Sequence, residues 1–312
     1  MTEIHVSVPG GGDQAFLLFP GQGSQSVGMC QRLDHNYAAA RAVLDEASEA
    51  LGFDLRALMW RSTPEVLKRT ENAQPAIVVA SVAAFRVWYE AREAAPAIAW
   101  GAGHSIGALA AAAACGYLTV AEVARLSRRR GQLMAAVPGR GTMLAVAVTS
   151  PEARAACLET AQDLGLDVAA VNGQQQIVLS GLVEPVLEAK RRLGARSLLL
   201  EVSNAFHSRL MDPVLPEWEQ VLAETDFHES GVAYLGSATG SLVHSAAEVA
   251  ADLRHGLRAP VRWDLVLQQA ARQNCGAVLG PGRSLAKMWR SKPRGLSLEL
   301  VDDDYVKGGP HR

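Results

Sequence analysis

The sequence predicts an α/β protein in which a large lobe on a parallel sheet carries a smaller inserted lobe. Three features support this: short unbroken apolar runs of strand length, long Ala- and Leu-rich amphipathic stretches between them, and a change of rhythm near residue 140. Ala15-Phe16-Leu17-Leu18-Phe19 is the first such run. Stopped by Pro20-Gly21, it reads as a strand buried on both faces, as strands of parallel sheets are. A helix is expected over Pro75 to Glu90, a strand over Ala97 to Gly101, a helix over Ala108 to Ala114, and a late strand over Gly276 to Leu279.

From Arg140 the units shorten. A strand at Thr142 to Val148, a helix at Pro151 to Leu164 and a strand at Asp167 to Val171 lead to the polar turn Asn172-Gly173-Gln174-Gln175. A strand at Gln176 to Ser180, a helix at Glu184 to Leu193 and a strand at Ser197 to Val202 follow. Strand-helix-strand-strand-helix-strand is the order of a ferredoxin-like unit. Residues 139–204 are therefore expected to form a ferredoxin-like small domain inserted between 1–138 and 205–312 of the large catalytic domain. The tail from Asp302 to Arg312 is polar and is expected to be poorly ordered.

Composition narrows the function classes. With 312 residues, 49% of them hydrophobic, the chain can bury a large core and still hold a cleft. A net charge of −2, well mixed, gives no reason to expect nucleic acid or a membrane surface as partner. The start has no basic stretch leading into an apolar one, and no apolar run reaches the roughly 18 residues of a membrane span, so a cytoplasmic protein is expected. Cys30, Cys115, Cys157 and Cys275 form no CxxC pair, which argues against a zinc site or a disulfide framework.

Gly103-His104-Ser105-Ile106-Gly107 stands between a strand and an Ala-rich helix. Strand, sharp turn and helix make a nucleophile elbow, and they give the large lobe an α/β-hydrolase-like character. Glycines flank the serine because the turn is crowded, and a helix start offers the serine backbone N–H groups and a favourable dipole. A serine hydroxyl needs a base. His104 is expected to point away across the turn, His5 and His311 lie near the ends, and His35, His228 and His244 lack supporting context. His207, in Ser203-Asn204-Ala205-Phe206-His207-Ser208, falls where the chain re-enters the large lobe and can line a cleft.

An oxyanion needs preorganised donors. The Ile106 backbone N–H, just after the serine, supplies one. Gln22, in the polar loop Pro20-Gly21-Gln22-Gly23-Ser24-Gln25 at the carboxyl end of the first strand, is the candidate for the second. The loop lacks the GxxxxGK[ST] pattern of a phosphate loop. In Arg128-Arg129-Arg130 an arginine fork could clasp a carboxylate, but spacing does not decide which of them faces inward, and a solvated face is the alternative. A hydrolase with the same elbow would expect the order Ser, acid, His and would need neither the Gly-Gln-Gly loop nor the arginine.

These motifs resemble those of the malonyl-CoA:acyl carrier protein transacylase family, which includes the acyltransferase domains of polyketide synthases. The resemblance runs over nearly the whole chain. It rests on Phe19-Pro-Gly-Gln-Gly-Ser-Gln25, Arg69-Thr-Glu-Asn-Ala-Gln-Pro75, Gly103 to Gly107, Arg130-Gly131, Asn172 with Val178-Leu-Ser-Gly181, Ala205 to Ser208 with Leu210-Met211, Pro260-Val-Arg-Trp263 and Gly280-Pro-Gly282. It implies that Ser105 is acylated, that His207 is its base, and that Gln22 and Ile106 form the oxyanion hole. It selects Arg130, 25 positions beyond the serine, as the carboxylate anchor. It also implies substrate-binding roles for Gln74, His104, Met134, Asn172 and Phe206, and a backbone carbonyl just before the Pro-Val-Arg segment, near Gly256, that orients the histidine. Ala205-Phe206-His207 resembles the malonyl-selective pattern, in which the bulky Phe206 would exclude a methyl branch.

The implied reaction is a ping-pong transfer from an acyl-CoA or acyl-carrier donor to the phosphopantetheine thiol of an acyl carrier protein, by a monomer without metal or redox cofactor. Lys190-Arg191-Arg192, Arg209, Arg290, Lys292 and Arg294 are candidate docking charges for an acidic carrier, against an ordinary solvated surface. Ala108, Asn204 and Val278-Leu279 depart from the family pattern, which more often has Glu, His and an acid there. These departures keep open transfer of an unusual acyl or aminoacyl group between carriers, or the malonyl transferase subunit of malonate decarboxylase.

Overall fold

The structure, a computed structural model, describes residues 14–92, 97–288 and 296–305. Strand β1 (Ala15–Phe19) is buried along its whole length inside a six-stranded sheet. Helices α1 (Gln31–Asn36), α2 (Ala38–Leu51), α3 (Leu55–Arg61), α4 (Pro64–Lys68) and α5 (Thr70–Glu90) follow, then strand β2 (Ile98–Gly103). Helix α6 (Gly107–Ala114) and helix α7 (Val120–Ala136) lead to a second sheet. That part comprises β3 (Gly141–Ala147), α8 (Pro151–Asp163), β4 (Asp167–Val171), β5 (Gln176–Leu182), α9 (Val183–Leu193) and β6 (Ser197–Leu199). The chain then returns through α10 (Leu215–Ala223), β7 (Ala233–Leu235), β8 (Leu242–Val243), α11 (Ala246–His255), α12 (Trp263–Ala270), β9 (Cys275–Leu279), α13 (Ser284–Met288) and β10 (Ser297–Val301).

The large sheet runs β10-β9-β1-β2-β7-β8, parallel throughout except for the β7–β8 pair. Its register sets Phe19 beside Gly103, so β1 and β2 end together and deliver their following loops to one place. The smaller sheet runs β4-β5-β3-β6 and is antiparallel at every pair. It has its own core, in which Leu144, Ile177, Leu179 and Val186 are fully buried. Two backbone hydrogen bonds tie its β4 edge to the large lobe: Val171 N–H to Val261 O and Val261 N–H to Ala169 O, each 2.9 Å.

Local chemistry sets the helix ends. Thr119 and Glu122 cap α7 reciprocally, and Ser150 caps α8 ahead of Pro151, whose missing N–H is harmless in a first turn. Helix α5 starts at Thr70 rather than at Pro75. Pro75 cannot donate to the Glu71 carbonyl, and Arg128 Nη1 satisfies that oxygen instead at 2.6 Å, so the helix tolerates the proline. Strand β2 runs to Gly103, and β6 stops at Leu199, where the chain turns so that Leu200, Glu201 and Val202 line a cleft.

The expected loose tail is corrected in its first part. Asp303 accepts the Arg32 and Leu33 N–H groups at 2.8 and 3.1 Å, capping the start of α1, and β10 just before it pairs with β9. Positions 306–312, with His311, lie outside the described residues, as do His5, Arg290, Lys292 and Arg294. None of the four cysteines is in a disulfide among the described residues, and Cys30, Cys115 and Cys157 are buried. Among the described residues no helix is long and apolar enough to cross a membrane.

Candidate active site

Ser105 sits at φ 52°, in the left-handed region, on the turn between β2 and α6. The flanking glycines make that turn sterically possible. A Cβ on Gly103 would lie 1.9 Å from the Gly107 carbonyl carbon, and one on Gly107 would lie 2.5 Å from Phe19 O. The His104 N–H donates to Phe19 O at 2.9 Å and pins the turn to β1. The strain therefore stays where the serine has to project.

The Ser105 hydroxyl lies 2.7 Å from His207 Nε2, and His207 Nδ1 lies 3.0 Å from Ala259 O. A carbonyl only accepts, so Nδ1 carries the proton and Nε2 is free to accept from the serine. His207 is itself left-handed, at φ 54°. Its orienting carbonyl belongs to Ala259, directly before Pro260-Val-Arg as the resemblance implies, three residues beyond Gly256. After α11 the Arg258 and Ala259 N–H groups both bond back to His255 O, a double turn that swings the Ala259 carbonyl onto the histidine. The Gly256 carbonyl instead accepts from Arg130 Nη2 at 3.4 Å. Burial, reinforced by the Arg130 charge and by His104, lowers the His207 pKa to about 3 despite the Ala259 bond, so the ring is neutral near pH 7.

Among the described residues the Ile106 and Gln22 backbone N–H groups have no protein acceptor. Ile106 is the N-cap residue of α6, so its N–H stands at the positive end of that helix. Gln22 lines the same cleft as Ser105.

Of the three consecutive arginines only Arg130 faces inward, with 4% of its surface exposed. Arg128 turns to Glu71 O and Asn72, and Arg129 pairs with Glu217. Gly131 lets α7 press against α5, since a Cβ there would lie 2.7 Å from Glu71 Cα and from Thr70 O. That contact sets Arg130 Nη1 3.0 Å from Gln74 Oε1. Burial lowers the Arg130 pKa to about 10, leaving it cationic near pH 7, and among the described residues no carboxylate pairs with it. Gln74 Nε2 donates to Thr70 Oγ1 at 2.9 Å and approaches Met134 Sδ at 3.3 Å, and the Thr70 hydroxyl donates to Gln22 Oε1 at 3.0 Å.

His104 does not bond Ser105, but it does line the cleft. Asn172 Nδ2 donates to Gln176 Oε1 at 2.8 Å, so its Oδ1 accepts the proton of His104 Nε2 at 2.9 Å. Burial lowers the His104 pKa against that bond, and the ring meets Trp263 edge-on at 5.4 Å. Phe206 and Met134 add buried apolar wall. The cleft holds about 700 Å³ between the two sheets. Lys68 of α4 and Glu201 after β6 form an ion pair across its lining.

Of the residues expected from the sequence, Gln22, His104, Ser105, Arg130, Met134, Asn172, Phe206 and His207 line this single cleft. Gln74 and Ile106 lie behind it in contact with its members. Thr70 and Trp263 stand in the motifs Arg69 to Pro75 and Pro260 to Trp263, but the sequence assigns neither of them a role of its own in the site. Asn204, one of the departures, is buried and bonds Val137 O at 3.1 Å while its Oδ1 accepts the Ala205 N–H at 2.8 Å, holding the junction of the lobes. The candidate docking cations are partly engaged. Arg191 and Arg192 pair with Glu188, and Arg209 forks onto Asp167 with two 3.0 Å bonds.

A strained serine at the carboxyl end of a parallel sheet, hydrogen-bonded to a neutral histidine beside free backbone N–H groups, defines an enzyme of acyl transfer. The chain belongs to the acyl transferase domain family, which it matches over residues 16–279. It is 32% identical over 297 residues to the malonyl CoA-acyl carrier protein transacylase of Bacillus subtilis strain 168, covering 92% of this chain and 93% of that protein. It is 37% identical over 239 residues to a phenolphthiocerol synthesis polyketide synthase of Mycobacterium marinum, covering 72% of this chain but only 11% of that far longer protein. A solved complex of a type II polyketide synthase acyl-carrier protein with its malonyl-transacylase matches with a TM-score of 0.85 at 31% identity, covering 94% of this chain and 97% of that one.

Proposed function

We propose that this acyltransferase moves a malonyl group from coenzyme A to the phosphopantetheine thiol of an acyl carrier protein through an ester on Ser105. The observation that carries the reading is Arg130: a buried guanidinium beside the dyad, held among the described residues only by the neutral oxygens of Gln74 and Gly256. A buried charge without a counterion is unfavourable, and a carboxylate on the acyl group would supply one through two parallel hydrogen bonds. The free-standing relatives named as malonyl transacylases support the same substrate.

In the first half-reaction the Ser105 oxygen attacks the thioester carbonyl while His207 Nε2 takes its proton. The oxyanion meets the N–H groups of Ile106 and Gln22. As the tetrahedral intermediate collapses, the carbon–sulfur bond breaks and the imidazolium returns the proton to the leaving thiolate. In the second half a carrier thiol gives its proton to His207, attacks the serine ester and releases Ser105. No metal or redox cofactor is needed for either half, and a monomer carries every group named. Phe206 walls the space beside the α-carbon and is the proposed filter against a methyl branch.

The small lobe, 139–204, is proposed to be a ferredoxin-like insertion between 1–138 and 205–312, with the strand order β4-β5-β3-β6 in support. Its role is to wall the cleft opposite the elbow. Intact-protein mass spectrometry tests the function. Malonyl-CoA is expected to leave a stable malonyl-sized increment that is lost in Ser105→Ala and discharged by a pantetheine-bearing carrier. Rapid turnover to free malonate without any thiol acceptor would make the enzyme a hydrolase.

A further inference from the structure

Arg130 and Gln22 do not touch, yet a file of hydrogen bonds joins them through Gln74 and Thr70. We propose that Thr70 is a positioning residue: its hydroxyl sets the direction in which the Gln22 amide faces the cleft, so that the carboxylate anchor and the oxyanion loop act as one unit. The proposal rests on the roles given above to Ser105 and Arg130.

The polarity of the file follows from one end. A guanidinium has donors and no acceptor, so the Gln74 oxygen must face Arg130, at 3.0 Å. The Gln74 nitrogen therefore faces the other way, and its two hydrogens go to Thr70 Oγ1 and Met134 Sδ. The atom 3.0 Å from Thr70 Oγ1 on the other side is Gln22 Oε1, and because an amide oxygen only accepts, the single hydroxyl hydrogen goes to it. The Gln22 oxygen is thereby held away from the reacting centre. The Nε2 donors remain, without a protein acceptor among the described residues, on a side chain that lines the cleft. Reversing one link would exchange those free donors for an oxygen on a side chain that lines the cleft with Ser105, where it would disfavour a developing negative charge. Thr70, Gln74 and Arg130 are 1%, 0% and 4% exposed, so water does not compete for the Arg130–Gln74 and Gln74–Thr70 bonds, and the polarity is handed intact to the part-buried bond on the half-buried Gln22.

The anchor on α7 is thus wired to the loop after β1 through two residues one turn apart on α5. Thr70 touches no reacting atom; it acts through Gln22.

The test is the single-turnover rate of Ser105 acylation by malonyl-CoA, followed by intact mass, in the wild type, Thr70→Val, Thr70→Ser, Arg130→Ala and the Thr70→Val/Arg130→Ala double variant. Thr70→Val keeps the shape and loses the hydroxyl, and the rate at saturating donor should fall about tenfold with KM within about twofold. Thr70→Ser should recover the rate to within about twofold, because it restores the link. In the Arg130→Ala background the valine should cost less than about twofold, since the Gln74 amide is no longer held in one orientation. A wild-type rate for Thr70→Val, a serine variant as slow as the valine one, or the full loss in both backgrounds would overturn the proposal. Rates are taken per acylatable Ser105, with Thr70→Ala measured alongside, so a variant that only lowers the melting temperature and keeps the wild-type rate also counts against it. Labelling that survives Ser105→Ala would sink the reading beneath it instead.

Discussion

The Ser105 elbow and the Arg130 pocket open into one cleft, but they are built by different means. The elbow is made of backbone: a left-handed serine, and two glycines that no side chain could replace without striking Phe19 O or the next turn. Five consecutive residues specify it. The pocket is made of side chains from helices whose contributing residues lie 56 positions apart, and it exists because Gly131 lets α7 close on α5. Where backbone strain sets a group, the neighbouring residues announce it; where helix packing sets a group, they do not.

That contrast predicts which changes abolish the reaction and which redirect it. Ser105→Ala should lower transfer by about a thousandfold or more with little change in melting temperature. Gly107→Ala should be nearly as severe, because the added Cβ meets backbone at 2.5 Å and must displace the serine. A Gly107→Ala enzyme with wild-type rates would mean that the elbow is looser than its contacts imply.

Arg130→Ala should cost malonyl transfer about a hundredfold, the usual scale for losing a buried charge partner, while acetyl transfer falls less or rises. Rates for the two donors side by side provide the check. Phe206→Ser should raise the ratio of methylmalonyl to malonyl transfer about tenfold, since one methyl in an apolar pocket is worth about 1–3 kcal/mol. Competition between the two donors reads this directly.

Acidity should separate the regions more gently. With the His207 pKa lowered to about 3 by burial and by Arg130, kcat/KM for malonyl-CoA should show no acid inflection near the ordinary value of 6.5. The sign for stability is fixed by the same shift. The unfolded chain takes a proton on this histidine below 6.5 and the folded one only near 3, so the stabilisation is complete above 6.5 and is lost as pH falls toward 3. Melting temperatures across that window should depend less on pH in His207→Gln. An inflection in kcat/KM near 6.5 would place the histidine in a wetter site than the structure gives it.

Much of this was legible in the sequence. β1 and β4 begin and end where apolar runs and polar turns place them, and Ser105, His207 and Gln22 follow from short motifs at strand ends. Arg130 could not be separated from Arg128 and Arg129 by spacing, because successive helix positions point about 100° apart and only the partner helix decides which is buried. The motif puts the orienting carbonyl just before Pro260-Val-Arg, but the sequence does not single out Ala259 from Gly256, because the double turn onto His255 O leaves no mark in Gly256-Leu257-Arg258. Strand β10 and the Asp303 cap were missed since both depend on contacts from the far end of the chain, with β9 and with α1. Thr70 stands in a quoted motif, but its role is not legible there for the same reason: it lies in the far partners, Gln22 and Arg130, of a file it merely joins.

If Ser105 holds an acyl group chosen by Arg130, one competition between donors shows it. Wild-type and Arg130→Ala enzymes are exposed to equal concentrations of malonyl-CoA and acetyl-CoA, and the adduct on Ser105 is read by intact mass. Mostly malonyl is expected on the wild type, and a reversal toward acetyl on the variant. The same malonyl-to-acetyl ratio on both proteins would contradict it.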